Sequence, residues 1–364
     1  MNEMILTHGG NRHETALRLG CTVEEITDFS GNLNPLGPPP GLMDHLMSHI
    51  QRISMLPDTD TQRISQAIGH LFSIDPKRIL AGNGTTSLIY ALPWALKSRR
   101  ALILSPTYAD YHHACLLSGV QVDEFTTSPE KDFDLDIGLF ADTCRLYDTV
   151  FICNPNNPTG ITLSYDVIRS LCVAAPKTRF IVDETYMPFL PDMEKQSVTR
   201  LCQENLLVLI SLSKIFTIPG LRLGFATGDP MMIHPLREHR MPWAVNAMAQ
   251  ESVFFLADQM EKTKDFIKKT QDWLVGQRRE MTKHLSDIPG LYLYPSRTIF
   301  QLLRIAGYPK ADTVCHLLEK ERIIIRNCSN IPGLSDRFLR FSFGREHENK
   351  ILATRLRKLL FHTP

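Results

Sequence analysis

The 364-residue sequence predicts an α/β protein: a large domain built on a mainly parallel sheet, then a smaller α+β domain. Two patterns carry this prediction. Between about residues 52 and 235, short apolar runs alternate with helix-period stretches, as βαβ units require. Beyond Pro242 the alternation gives way to a long helical stretch, about 246–285, followed by three strand-like runs.

Taken in order, residues 1–51 read as an arm. It holds a Gly-Gly turn at 9–10, a short amphipathic stretch at 14–19 and the loop-forming NLNPLGPPPG at 32–41. The large domain, 52–235, contains ALILS (101–105), TVFIC (149–153), RFIVD (179–183), LLVLIS (206–211) and LRLGFAT (221–227). Such nearly continuous apolar runs suit strands covered on both faces. The small domain, 236–364, carries TIFQLLRI (298–305), RIIIRNC (322–328) and FLRFSFG (338–344).

Composition excludes several functions. Forty basic residues against 39 acidic ones give a formal charge of +1, with no block of basic side chains to bind nucleic acid. No apolar run approaches the ~20 residues needed to span a bilayer, and the N-terminus lacks the basic and apolar regions of a secretory signal. The eight cysteines are scattered without a CxxC pair, which fits a reducing cytoplasm and gives no reason to expect a metal.

Four chemistry-bearing segments occur in sequence. Asn154-Pro-Asn-Asn157-Pro-Thr-Gly160 follows one apolar strand, and Val182-Asp183-Glu184-Thr185-Tyr186 closes another. Ser211-Leu212-Ser213-Lys214 follows a third, and Arg222 stands eight residues beyond the lysine. Ligands of open α/β sheets bind at the carboxyl ends of strands, where all these residues would lie. A further turn, Leu80-Ala-Gly82-Asn-Gly84-Thr85-Thr86, leads from an apolar segment into a helix whose first amides suit a phosphate. Each segment alone has an ordinary structural explanation. The ordered set carries the information.

That set resembles the fold-type I pyridoxal-phosphate enzymes, the class I/II aminotransferase family, over nearly the whole chain. The resemblance implies a seven-stranded large-domain sheet and a homodimer. It makes Lys214 the Schiff-base lysine, with Asp183 and Tyr186 as its catalytic companions. Asp183 would keep the pyridine nitrogen protonated, while Asn157 and Tyr186 would bond the ring's O3′. Tyr108 would stack on the ring. Gly84, Thr85, Thr86, Ser211, Ser213 and Arg222 would hold the cofactor phosphate.

Within the family, SLSKIFTIPGLRLGF (211–225) is similar both to histidinol-phosphate aminotransferases and to the threonine-phosphate decarboxylases of cobalamin biosynthesis. His8-Gly9-Gly10-Asn11, FSGNLNPLG (29–37) and Ile325-Arg326-Asn327-Cys328 with Arg340 resemble the decarboxylase branch. This implies a small phosphorylated amino acid as substrate. Arg340 and Asn32, beside Asn157, would take its carboxylate, and His8, Gly9, Asn11 and Arg326 its phosphate. The expected activity is that of a carboxy-lyase acting on threonine phosphate. An aminotransferase is the alternative, and a non-catalytic cofactor-binding module a weaker one. Serine phosphate differs from threonine phosphate by one methyl, worth only ~1–3 kcal/mol in a pocket. The branch's usual tyrosine before Pro-Asp, which reaches the partner's cofactor phosphate, is replaced by Leu56.

Overall fold

The computed structural model describes residues 9–59 and 62–361. Its strands in chain order are β1 (Thr27–Asp28), β2 (Ile79–Asn83), β3 (Arg100–Ser105), β4 (Gln121–Thr126), β5 (Thr149–Cys153), β6 (Arg179–Asp183), β7 (Leu206–Ser211) and β8 (Leu223–Gly228). There follow β9 (Leu291–Leu293), β10 (Phe300–Ile305), β11 (Ile323–Ile324), β12 (Arg326–Asn327) and β13 (Phe338–Ser342).

Strands β2 to β8 form one seven-stranded sheet in the order β2-β8-β7-β6-β5-β3-β4. Only β8 runs against the others, pairing antiparallel with both β2 and β7. Side chains of a strand alternate between faces, and the apolar runs use both. Val150, Ile152, Phe180, Val182, Val208 and Ile210 join the core on one side. Phe151, Ile181, Leu207 and Leu209 join a separate core on the other. The central strands are therefore shielded on both faces, as their uninterrupted apolar composition requires.

A second, antiparallel sheet has the order β12-β13-β10-β9 and lies wholly beyond the proposed boundary at residue 235. The run 322–328 does not form one strand. Its first part, β11, turns away to pair in parallel with β1 of the arm, and only β12 joins the sheet. The stretch 246–285 is likewise two helices, Ala247–Asp258 and Met260–Leu285, parted at Gln259. Packing explains the break: the first helix lies against Gln62–Phe72 and Leu42–Ser48, the second against the C-terminal helix Glu346–Phe361. Among the described residues no helix is long and apolar enough to cross a membrane.

The arm is pinned at several points. The Ser342 amide donates to Phe29 O at 2.7 Å, and the Asn34 amide donates to Lys214 O at 3.1 Å. Asn34 Nδ2 also donates to Ile215 O and Thr270 Oγ1, both at 2.9 Å. Residues 29–34 thereby run between the small sheet and the lysine.

Candidate active site

The parallel strands end together. Asp183, the last residue of β6, lies in register with Cys153 of β5. Its carboxylate is 5% exposed, and it accepts from Tyr111 OH at 2.8 Å and from the Thr185 amide at 2.9 Å. Burial pushes the Asp183 carboxyl above the usual carboxylate range, while these two hydrogen bonds pull it back. Neither donor is cationic. A protonated ring nitrogen beside this carboxylate would supply the missing positive partner.

Lys214 lies in the short helix Leu212–Ile215 that β7 feeds. Its Nζ donates to Gly31 O at 3.3 Å, so the arm supplies its backbone partner. Desolvation, then the nearby Arg340 and Arg222 guanidinium groups, lower its pKa to about 8 against a partial opposing pull from Asp28. About a tenth of such amines are neutral at pH 7, whereas an ordinary lysine is almost wholly charged.

Across the cavity, β2 runs into the helix Gly84–Ala95, whose first residues line the same space as Arg222. Gly84 has φ +71°, and a Cβ there would lie 2.7 Å from Arg222 Nη2. Gly224 serves the same approach, since a Cβ on it would lie 2.7 Å from the Thr85 amide nitrogen. Arg222 Nη2 is 3.5 Å from Thr86 Oγ1. Helix amides, hydroxyls and a guanidinium thus converge, the donor set a phosphate needs.

A cavity of about 170 Å³ joins these groups. It is lined by Gly84, Thr85, Thr86, Tyr108, Asn157, Asp183, Tyr186, Ser211, Ser213, Lys214 and Arg222, together with Thr185, Tyr111 and Cys153. Every residue expected at the cofactor is therefore brought to one place. Ser213 Oγ donates to Leu223 O at 3.3 Å, and Tyr108 OH donates to Asp110 Oδ2 at 2.6 Å. Burial raises Tyr186 to about 12, opposed by the charge of Arg340 and by a hydrogen bond from Asn32. Sequence reasoning missed Tyr111: it sits inside the helix Asp110–Leu117, and no spacing rule ties it to a carboxylate 72 positions on.

Beyond Lys214 the space opens into a larger cavity of about 490 Å³ that shares Tyr108, Asn157, Tyr186 and Lys214 with the first. Gly9, Asn32, Arg326 and Arg340 line it, as do the unanticipated Ser30, His112, Glu124 and Asn330. Gly9 must be glycine, because a Cβ would lie 2.2 Å from Ser30 O. Arg340 is 5% exposed; its Nη1 donates to Asn157 Oδ1 and its Nη2 to Ser30 O at 2.7 Å. Asn32 adopts φ +53° and donates from Nδ2 to Tyr186 OH at 3.0 Å. Arg340 Nε and Asn32 Oδ1 are buried here without a hydrogen-bond partner among the described residues, and such groups call for a ligand or water. Asn11 is exposed at the start of the helix Arg12–Leu19 and is not brought to the cavity wall. His8 lies outside the described residues.

Comparison with known proteins agrees with this geometry. The family Aminotransferase class I and II matches residues 24–356. The threonine-phosphate decarboxylase of Salmonella typhimurium is 32% identical over 357 residues, 97% of this chain and 96% of that protein. Among solved structures, an L-threonine-O-3-phosphate decarboxylase from Porphyromonas gingivalis has a TM-score of 0.81 at 27% identity, covering 92% of this chain and 99% of its own. A histidinol-phosphate aminotransferase from Clostridium acetobutylicum has a TM-score of 0.84 at 25% identity, covering 92% and 98%. The cofactor of these enzymes is pyridoxal 5′-phosphate, and a cavity holding a buried carboxylate, a lysine of lowered pKa and a helix N-terminus facing an arginine fits it. With the fold-type I architecture and this match over most of its length, the chain belongs to the class I and II aminotransferase family of pyridoxal-phosphate-dependent enzymes.

Proposed function

We propose that the chain decarboxylates L-threonine O-3-phosphate to (R)-1-aminopropan-2-ol O-2-phosphate for cobalamin biosynthesis, or serine phosphate to ethanolamine phosphate. One observation carries this reading. Arg326 and Arg340 are direct partners across the antiparallel pair β12–β13, and both line the cavity that contains Lys214. Like charges placed opposite each other destabilise a sheet, so the pair has a purpose other than stability. A substrate with a carboxylate at one end and a phosphate at the other would neutralise both.

Pyridoxal phosphate, when bound, supplies an electron sink for the carbon that loses a substituent. The chain's residues determine which bond breaks. Arg340, held by Asn157 and Ser30, would take the carboxylate through its unpartnered Nε edge. Rotation of the Asn32 amide would let Tyr186 OH donate to Oδ1 and free Nδ2 for the same carboxylate. Arg326 would hold the phosphate with Gly9, and His8, outside the described residues, is proposed for the same group, whereas Asn11 could join it only by moving from its exposed position. Anchored at both ends, the substrate cannot turn about its N–Cα bond, and orientation of this kind can be worth ~10²-fold in rate. Lys214 Nζ would return the proton to Cα.

We further propose a homodimer in the cytoplasm. Met43, Met47, Ile50, Ile53, Met55 and Leu56 form an exposed apolar run at the end of the arm and just beyond it, and such runs mark association surfaces. The function is tested by incubating the cofactor-loaded protein with L-threonine phosphate and, in parallel, with histidinol phosphate plus 2-oxoglutarate. Stoichiometric CO₂ and amine phosphate from the first support the decarboxylase. A keto product from the second, with the cofactor converted to its amine form, establishes the aminotransferase instead.

A further inference from the structure

A second cluster of chemically capable side chains lies outside both cavities, where the arm helix Leu42–Ser48 meets the helix Ala247–Asp258. His45 and His49 are four positions apart and so fall on one side of the chain as it leaves the first helix. Glu251, on the second helix, is 5% exposed. Its Oε2 lies 3.4 Å from His45 Nε2 and 3.9 Å from His49 Nε2. One potential ligand atom from each of the three residues falls within 4.8 Å of the others.

The hydrogen bonding around these groups fixes what they can do. His49 Nδ1 is 2.9 Å from His45 O and 3.0 Å from Ser48 Oγ, and with the Ser48 hydroxyl donating to His45 O at 2.8 Å a proton on Nδ1 satisfies both contacts, leaving Nε2 turned toward Glu251. A ring nitrogen tied to a backbone carbonyl is the usual outer support of a metal-bound imidazole. His45 Nε2 is buried without a hydrogen-bond partner among the described residues. Arg52 Nε occupies the other carboxylate oxygen, Oε1, at 3.1 Å, which leaves Oε2 for the space between the imidazoles. Two nitrogens and a carboxylate oxygen facing one another can share either a proton or a metal cation, and the three-sided arrangement is the one a cation uses. With metal–ligand bonds of ~2.0–2.1 Å, the edge of a tetrahedron is ~3.3 Å. The observed 3.4 Å from His45 to Glu251 meets this, and the half-exposed His49, at 3.9 Å from Glu251, would have to close in on both partners.

We propose that His45, His49 and Glu251 form a three-ligand site for zinc or another late first-row divalent cation, with water in the fourth position. Nitrogen and carboxylate donors in this number suit such metals. The ion would fasten the arm to the helix Ala247–Asp258, away from the reaction.

Cobalt(II) is the probe. The full cofactor-loaded protein, first dialysed against a chelator, should bind one cobalt per chain with the visible bands of a four-coordinate nitrogen/oxygen site, and zinc should displace it and raise the melting temperature. His49→Ala and Glu251→Gln should each weaken binding by at least the ~10–100-fold typical of losing an outer-shell partner. His49 is the safer position, with its side chain 35% exposed, and unchanged cofactor absorbance would verify folding of the variant. Three results would overturn the site: no stoichiometric binding, equal binding by wild type and both variants, or thiolate-to-cobalt absorption placing the metal on a cysteine. An ion pair of Glu251 with protonated histidines and Arg52 alone predicts the first of these.

Discussion

Tyr111 donates its phenolic proton to Asp183 Oδ2 at 2.8 Å, deep in the core and stacked on Phe151. A hydrogen bond to a buried charged group is worth ~1.5–3 kcal/mol. Tyr111→Phe removes it and leaves Asp183 more easily protonated, so the carboxylate supports a ring nitrogen less well. Cofactor affinity should fall ~10–100-fold, the equivalent of that energy, while Lys214 still captures the cofactor covalently. Equilibrium titration of the apo variant with pyridoxal phosphate measures this; unchanged affinity would show that Thr185 alone suffices.

The lowered pKa of Lys214, about 8, gives a pH dependence that can be read directly. Only the neutral amine attacks an aldehyde, so the rate of covalent cofactor capture by the apoprotein should rise with pH and level off above about 8. Burial is the largest cause of the shift and Arg340 the next. Arg340→Ala removes a neighbouring positive charge, favours the ammonium form and should move the midpoint to higher pH. Stopped-flow absorbance across pH 6–10 distinguishes this from an unchanged midpoint, which would leave burial and Arg222 as the explanation.

Arg326 and Arg340 should separate in their effects on substrates. Arg326→Ala is expected to lower kcat/KM for a phosphorylated amino acid ~10–100-fold, the loss of one charge-assisted contact. Turnover of the unphosphorylated amino acid should hardly change. Arg340→Ala should depress both, because each substrate carries the carboxylate. Parallel losses in the Arg326 variant would remove the phosphate from that side of the cavity.

Much of the lining of the cavity around Lys214 was legible in the sequence because those residues lie at, or a few positions beyond, the end of a strand at a punctuated turn. Gly84, Asn157, Asp183 and Lys214 all announce themselves in this way. What escaped depends on contacts between distant segments. Tyr111 carries no local mark, and Glu124 comes from an edge strand with a mixed pattern, where it pairs with His112 at 3.1 Å. The apolar periodicity of 246–285 continues through Gln259 although the helix does not, because the break follows from which body each half packs against. Arg326 and Arg340 were each visible, but their direct opposition is a matter of strand register, which only pairing reveals.

The exposed run at the end of the arm leads to a test of assembly. Leu56 is 78%, Met47 69% and Ile53 67% exposed, and burying such side chains favours association by ~1.5–3 kcal/mol for each one fully covered. The protein is expected to sediment as a homodimer, and Ile53→Asp to shift it toward monomer with weaker cofactor retention. Leu56→Tyr should be neutral or tighten cofactor binding, since it restores a donor at the position expected to face the partner's phosphate. A fully active monomer would contradict the proposed interface.

Glu184 follows Asp183 but faces away from the reaction, accepting from Ser197 Oγ at 2.6 Å and from the Val198 amide at 2.7 Å. It is 1% exposed, and burial raises its pKa from 4.5 to about 7, opposed by those two hydrogen bonds. A carboxyl with a raised folded-state pKa binds its proton more tightly in the native protein than in the unfolded chain. Its contribution to stability is therefore complete below about pH 4.5 and is lost as pH rises through about 7. At ~1.36 kcal/mol per pKa unit, the loss between those limits reaches ~3 kcal/mol. Glu184→Gln cannot titrate; its carbonyl can accept from Val198 while its amide donates to the Ser197 hydroxyl, which can reverse its role. Urea denaturation of the two apoproteins at pH 5 and pH 8 should show wild type losing ground to the variant as pH rises. A stability difference that stays constant between the two pH values would mean that Glu184 is ionised throughout, with Ser197 and Val198 outweighing the cost of burial.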